Sequence, residues 1–95
     1  MEHSVSFYYT YVLFSERDHK LYIGFTSDVF KRLSEHNAGL NISTAPRRPL
    51  SLIYFEGHLT KNDALRRESY FKTTSGKRTL QIILKQTLDD LGYQK

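Results

Sequence analysis

Residues 7–25, FYYTYVLFSERDHKLYIGF, decide the fold of this chain. The first eight of them are mostly aromatic and β-branched, which favours a strand over Phe7–Phe14. The polar residues 15–20 predict a turn, and the short apolar run Leu21–Phe25 predicts a second strand. Because strands joined by so short a turn pair antiparallel, the stretch predicts a β-hairpin.

A helix with clear ends follows the hairpin. Thr26 or Ser27 is the expected N-cap, and Asp28 suits the positive end of the helix dipole. Asn37-Ala38-Gly39 ends the helix, because glycine adopts the left-handed conformation that a helix terminus requires. A polar loop over residues 40–49 then leads to a third expected strand, residues 50–56.

Two more helices complete the pattern. Thr60 caps the first of them, with Asp63 as its capping-box partner, and the helix runs to about Lys72. Residues 73–76 are expected to break it, and a last helix then extends to Leu91. The order β-β-α-β-α-α predicts an α+β domain with a small antiparallel or mixed sheet covered by helices. With 95 residues, we expect a single domain spanning 1–95.

Polar side chains interrupt the apolar stripes of two predicted helices. The first helix has Arg32 and His36 at the edge of its buried face, and Glu68 lies within the buried face of the second. Each has a structural explanation: Arg32 extends along the core, His36 is a satisfied buried imidazole, and Glu68 pairs with Arg67 or Lys72. Because Arg32 and His36 lie on the same edge of the helix, a functional role for the pair competes with these structural explanations.

The hairpin adds tyrosines on one face of the sheet. Since side chains alternate along a strand, Tyr9 and Tyr11 point to the same side, and Tyr22 lies on the partner strand. Such pairs are usually packing residues, although their hydroxyls can also meet at a common site. Gly24 within the strand pattern indicates a bulge or a close approach to the backbone.

Composition and charge narrow the class of protein. Hydrophobic residues make up 39% and charged residues 25%, which is ordinary for a globular domain. The absence of cysteine excludes disulfides and thiolate chemistry. With no positive region before the apolar N-terminal run, we expect no signal peptide and a cytoplasmic location.

The net charge of +4 is unevenly distributed. Residues 44–78 carry a charge of +5, and the rest of the chain carries −1. A local excess of positive charge suits a polyanionic partner, although a solvated basic surface would look the same. The basic residues of this segment are Arg47, Arg48, Lys61, Arg66, Arg67, Lys72, Lys77 and Arg78.

An ordered set of motifs resembles a known family. Tyr9-Thr10-Tyr11 is followed by Tyr22-Ile23-Gly24, then by Arg32 and by Glu68 within ALRRE. With the stretches KRLSEHNAG and TAPRRPLSLIYFE, this set resembles the GIY-YIG nucleases over residues 7–78. The likeness is to the small single-domain bacterial members and to the nuclease domain of the structure-specific flap endonuclease subunit.

The resemblance implies a fold and a set of roles. The fold is a three-stranded antiparallel sheet flanked by helices. Tyr11 and Tyr22 would line the active site, Arg32 would contact the scissile phosphate, and Glu68 would bind one divalent metal ion, Mg²⁺ or Mn²⁺. His36 matches a histidine present in a subset of members. The sequence departs from the family at Tyr9, Thr10 and Phe25, which replace Gly, Ile and a Lys, and at Leu80, near the place of an Asn.

The resemblance thus implies a metal-dependent DNA endonuclease that serves repair or recombination. Tyr11 is the candidate for activating water, with His36 as a competing or assisting base. Two alternatives stay open: a non-catalytic nucleic-acid-binding module, and a nuclease subunit that needs a protein partner for substrate choice. Contacts with the DNA backbone are expected from Arg47, Arg48, Arg67, Lys77 and Arg78.

Overall fold

A three-stranded antiparallel sheet forms the centre of the protein, as the family resemblance implies. The computed structural model describes residues 6–93, so residues 1–5 and 94–95 of the expected domain lie outside the described residues. The strands are β1 (Tyr8–Ser15), β2 (Leu21–Thr26) and β3 (Leu50–His58), arranged in the order β2-β1-β3. The third strand runs two residues beyond the predicted end at Glu56.

The central strand is covered on both faces. Residues 10–15 are all buried, which explains why the first motif is a nearly continuous apolar run rather than an alternating one. One face of the sheet packs Val12 and Ile23 into a core with residues of the later helices. The opposite face builds a second core around Tyr11, Leu13 and Leu50.

The first helix, α1 (Val29–Asn37), covers the tyrosine face of the sheet. Its N-cap is Asp28, whose side chain accepts a hydrogen bond from the Lys31 N–H, so the predicted cap at Thr26 or Ser27 was wrong. The Thr26 hydroxyl instead accepts from the Asp28 N–H at 3.1 Å, and this turn orients the cap. Gly39 follows the helix at φ 79°, as predicted.

The loop after α1 is anchored to the sheet at both ends. The Asn37 amide donates to the Leu50 carbonyl at 2.9 Å and accepts from the Leu50 N–H at 2.8 Å. A short 3₁₀ helix, Ala45–Arg47, lies within the loop, and the Ser15 hydroxyl donates to the Arg47 carbonyl. These bonds hold the otherwise polar segment against the end of the sheet.

Three helices pack on the other face. They are α2 (Lys61–Phe71), α3 (Thr74–Ile83) and α4 (Lys85–Asp90). Thr60 caps α2 through the Asp63 N–H, as predicted. The helix break is shorter than predicted: Thr73 already caps α3, and Gly76 lies in its first turn against the Tyr70 carbonyl, where a side chain would not fit.

The sequence predicted one last helix ending at Leu91, and the structure has two helices there, α3 and α4. The chain bends at Leu84, which has φ −105° and ψ 24° and ends α3 before α4 begins. Leu80, Leu84 and Leu88 all enter the core with Phe71, so the bend keeps the apolar side chains of both helices on the sheet. None of the helices within residues 6–93 is long and apolar enough to cross a lipid bilayer.

Candidate active site

Tyr11 occupies the middle of the central strand and lies over a glycine. It pairs in register with Gly24 of β2, and its ring extends across that position. A Cβ on Gly24 would lie 2.8 Å from Tyr11 Cε1 and closer still to Cζ and Oη. Gly24 is therefore required because the tyrosine ring passes directly above the backbone, one of the two explanations offered by the sequence.

A chain of hydrogen bonds links Tyr11 to the loop after α1. Tyr11 Oη lies 2.8 Å from His36 Nε2, and His36 Nδ1 lies 2.7 Å from Thr44 Oγ1. His36 and Thr44 have no exposed surface, and Tyr11 is 2% exposed. The Tyr22 ring closes the group, with its centroid 5.1 Å from that of His36 and 6.4 Å from that of Tyr11.

Arg32 lies one turn before His36 on α1 and faces the same group. Its side chain is partly exposed and donates to Glu35 at 3.1 Å. Arg32 also lines a groove of about 560 Å³ at the open end of the hairpin, together with Tyr8, Thr26 and Lys31. Because Arg32 lines this groove and lies close enough to Tyr11 to affect its pKa, it is in place to meet an anion from solvent.

The electrostatics of the site act on Tyr11 and His36 in opposite directions. Burial raises the pKa of Tyr11 to about 12; a hydrogen bond from Arg32 opposes the rise, and the nearby Tyr22 and Glu68 add to it. Burial also lowers the pKa of His36, and the positive charge of Arg32 lowers it further against the opposing effect of Glu35. At neutral pH, Tyr11 is therefore protonated and His36 is uncharged.

Glu68 reaches the same region from α2, on the other side of the sheet. Its carboxylate is close enough to contribute to the raised pKa of Tyr11. The side chain is 19% exposed, and its Oε2 lies 3.2 Å from Lys72 Nζ, one turn along the helix. Within residues 6–93 no three His, Asp or Glu side chains cluster as a ready-made metal site, so Glu68 would be a solitary carboxylate ligand.

The structure thus brings four of the predicted residues together on the α1 face of the sheet, and α2 contributes Glu68 from the opposite face. Tyr11, Tyr22 and His36 are in direct contact, and Arg32 and Glu68 both act electrostatically on the Tyr11 hydroxyl. A larger groove, about 780 Å³, lies elsewhere, beside Glu56 and Arg67. The guanidinium groups of that groove are already paired with carboxylates, Arg67 with Glu56 and Arg66 with Asp63.

Four of the five basic residues expected to contact DNA divide into two groups. Arg47 pairs with Asp18 at 2.6 Å, and Arg67 pairs with Glu56 at 2.7 Å and lies over the Phe71 ring at 4.3 Å. Both guanidinium groups therefore already hold parts of the protein together. Lys77 and Arg78 are exposed in the first turns of α3 and form no ion pair within residues 6–93.

Thr44 was not among the site residues predicted from the sequence. It lies in a loop, outside any periodic pattern that would predict its burial against His36. The available signal was its place at the start of TAPRRPLSLIYFE, one of the stretches that carries the family resemblance. Leu80, near the place of the family's Asn, is fully buried in the core and adds no polar group to the site.

Comparisons with known proteins identify a family and several relatives. A family model described as the GIY-YIG catalytic domain matches residues 7–81. A UPF0213 protein of Clostridium perfringens is 35% identical over 88 residues, covering 92% of this chain and 94% of the relative. A UPF0213 protein of Bacillus licheniformis is 40% identical over 88 residues, covering 92% and 90%. UPF0213 protein YazA of Bacillus subtilis is 38% identical over 81 residues, covering 83% and 82%.

Proposed function

Because this chain belongs to the GIY-YIG nuclease family, we propose that it is an endonuclease that hydrolyses phosphodiester bonds of DNA with one divalent metal ion, Mg²⁺ or Mn²⁺. The proposal includes a single domain of residues 1–95, a cytoplasmic location and a role in DNA repair or recombination. The observation that carries it is the convergence of Arg32 and His36 on the Tyr11 hydroxyl.

Arg32 is proposed to hold the scissile phosphate. Its guanidinium lines the groove beside the hairpin and lies against Tyr11, so a phosphate bound there would sit next to the tyrosine hydroxyl. The planar fork of arginine donates two parallel hydrogen bonds to non-bridging oxygens. Glu35, which now accepts one of these bonds, would give way to the phosphate or share the guanidinium with it.

Tyr11 is proposed to take the proton of the attacking water. Because its raised pKa keeps it protonated at neutral pH, Tyr11 must first release its own proton to solvent; the tyrosinate that remains is a strong base and can accept the proton of the water. Arg32 and His36 are the two groups that would stabilise the tyrosinate before it accepts that proton. Tyr22, in contact with both Tyr11 and His36, would orient the phosphate or the water from the other side.

Glu68 is proposed to bind the metal ion. A single half-buried carboxylate fits Mg²⁺, which commonly takes one or two protein carboxylates and completes its octahedral coordination with water and substrate phosphate oxygens. When bound, the metal ion polarises the phosphate and stabilises the leaving 3′ oxygen. The Lys72 ammonium, 3.2 Å from Glu68, compensates the carboxylate charge in the free protein and must yield when a cation binds there.

Backbone binding is proposed to come mainly from Lys77, Arg78 and Arg48. Lys77 and Arg78 are exposed, and Arg48 is exposed with its Nε bonded to the Ala45 carbonyl at 2.7 Å. Arg47 and Arg67 would contribute only if their ion pairs with Asp18 and Glu56 opened. Contacts of this kind recognise phosphates rather than bases, so binding should depend little on sequence.

Cleavage assays test the proposal directly. Purified protein is incubated with duplex, flap, nicked and single-stranded DNA in Mg²⁺, in Mn²⁺ and with a chelator. The proposal predicts cleavage of at least one DNA form that requires the metal ion and stops with the chelator. Binding to DNA without cleavage of any form would favour the non-catalytic binding module, and cleavage that appears only with a cellular extract would favour the partner-dependent subunit.

A further inference from the structure

The hydrogen-bond chain through His36 has one more hydrogen than it can use. Tyr11 and Thr44 each have one O–H, and a neutral imidazole has one N–H and one acceptor nitrogen. The chain makes two hydrogen bonds, Tyr11 Oη to His36 Nε2 and His36 Nδ1 to Thr44 Oγ1. Of the three donor hydrogens, two make the hydrogen bonds. The remaining one belongs to the hydroxyl at one end of the network, either Tyr11 or Thr44.

The charge state of His36 limits the arrangements to two. A protonated imidazole would donate at both nitrogens, but burial and Arg32 lower the pKa of His36, with only Glu35 opposing them. In the first arrangement Tyr11 donates to Nε2 and Nδ1 donates to Thr44, which leaves the Thr44 hydrogen unused. In the second, Thr44 donates to Nδ1 and Nε2 donates to Tyr11, which leaves the Tyr11 hydrogen unused.

The surroundings of the two ends differ. Thr44 has no exposed surface, and His36 is the only hydrogen-bond partner that residues 6–93 offer its hydroxyl. A hydroxyl hydrogen left unpaired there is unfavourable, because it has lost water and gained nothing. Tyr11 retains 2% exposure and lies near Arg32, which lines the groove, so the Tyr11 end is the one closer to water or to a bound phosphate oxygen.

We propose that Thr44 is a positioning residue: its hydroxyl donates to Nδ1 of His36 and holds the imidazole in the tautomer that carries its hydrogen on Nε2. His36 then donates to Tyr11 Oη rather than accepting its proton, so it stabilises the tyrosinate instead of acting as a base. The hydrogen of Tyr11 faces the substrate. The catalytic roles of Tyr11 and His36 rest on the proposed function, whereas the tautomer is a property of the free protein.

The tautomer is measured directly by two-bond ¹⁵N–¹H correlation spectra of the histidine rings at neutral pH, without DNA. The signals of His36 are those that persist when the other three histidines are replaced. The expected spectrum has a protonated Nε2 and an unprotonated Nδ1. A protonated Nδ1 in the unsubstituted protein overturns the proposal, whether or not the protein cleaves DNA.

Two substitutions extend the test to function. Thr44→Val removes the donor at nearly constant volume, and should shift His36 towards the Nδ1–H tautomer and lower kcat by on the order of a hundredfold with little change in KM. Thr44→Ser keeps the hydroxyl and should retain both the spectrum and the rate. The proposal is also overturned if Thr44→Val leaves the tautomer of His36 unchanged. If Thr44→Ser loses as much cleavage as Thr44→Val, the role of Thr44 is in packing rather than in positioning His36.

Discussion

Substituting Gly24 by alanine should displace the Tyr11 ring. The new Cβ would lie 2.8 Å from Tyr11 Cε1 and nearer to the hydroxyl end, whereas non-bonded carbons prefer separations of about 3.5–4.0 Å. The ring must therefore move by at least about 0.7 Å, counted from the lower end of that preferred range. Such a shift stretches the 2.8 Å bond to His36 beyond the usual hydrogen-bond range.

Both stability and cleavage should fall as a result. Overpacking a core costs about 1–3 kcal/mol, offset in part by about 0.4–1 kcal/mol from the lower conformational entropy of the unfolded chain. A misplacement of about 1 Å in a catalytic group can cost on the order of a hundredfold in rate. We expect Gly24→Ala to lose about 1–2 kcal/mol of unfolding free energy and most of its cleavage rate.

Urea denaturation and initial cleavage rates measure the two effects. The matched control is Gly57→Ala, on the other side of the central strand, where the new Cβ would lie 3.3 Å from Phe7 Cδ1 and 3.4 Å from Tyr9 Cε1. These contacts are tight but involve half-exposed rings that can move, so the control should remain close to wild type. If Gly24→Ala matches Gly57→Ala in both measurements, the close packing of Tyr11 on Gly24 is not what maintains the site.

Three further substitutions probe the roles assigned to side chains. Arg32→Ala should lower kcat by on the order of 10²–10³-fold and weaken DNA binding, because it removes a contact made in both ground and transition states; unchanged kcat/KM would exclude Arg32 from the phosphate site. Tyr11→Phe should lower the cleavage rate with little change in DNA affinity. It should also remove the rise in cleavage rate that wild type shows between neutral pH and the Tyr11 pKa of about 12. A pH–rate profile parallel to that of wild type would show that another group is the base. Lys77→Ala with Arg78→Ala should reduce the slope of log affinity against log salt by about 2 if both bind phosphates of duplex DNA, and an unchanged slope would place the DNA elsewhere.

The order of strands and helices was predictable because local signals agreed with the tertiary packing. Aromatic and β-branched runs became strands, and Thr60 and Gly39 lie at the helix ends where their chemistry placed them. The bend at Leu84 was not predictable, because the apolar pattern runs through it without a glycine or proline. It follows from packing both helices onto one sheet face, which is a tertiary constraint.

The candidate site was partly predictable for a similar reason. Arg32, His36 and Glu68 were conspicuous as polar side chains on apolar stripes, and the motif spacing connected them to the tyrosines. The sequence left Arg67 and Lys72 as rival partners of Glu68; the structure pairs Lys72 with it, because residues four apart share a helix face whereas adjacent ones do not. Thr44 was missed because a contact between a loop and a buried helix residue leaves no periodic trace.

The most direct measurement of the central claim compares cleavage and binding in Glu68→Gln. This substitution keeps the shape of the side chain and removes the charge proposed to bind the metal ion, while Glu16→Gln removes the same charge at the exposed β1–β2 turn and serves as the control. We predict that Glu68→Gln loses metal-dependent cleavage and retains wild-type or slightly higher DNA affinity, with Glu16→Gln active. A Glu68→Gln protein that cleaves DNA as fast as wild type would contradict the proposed metal-dependent mechanism.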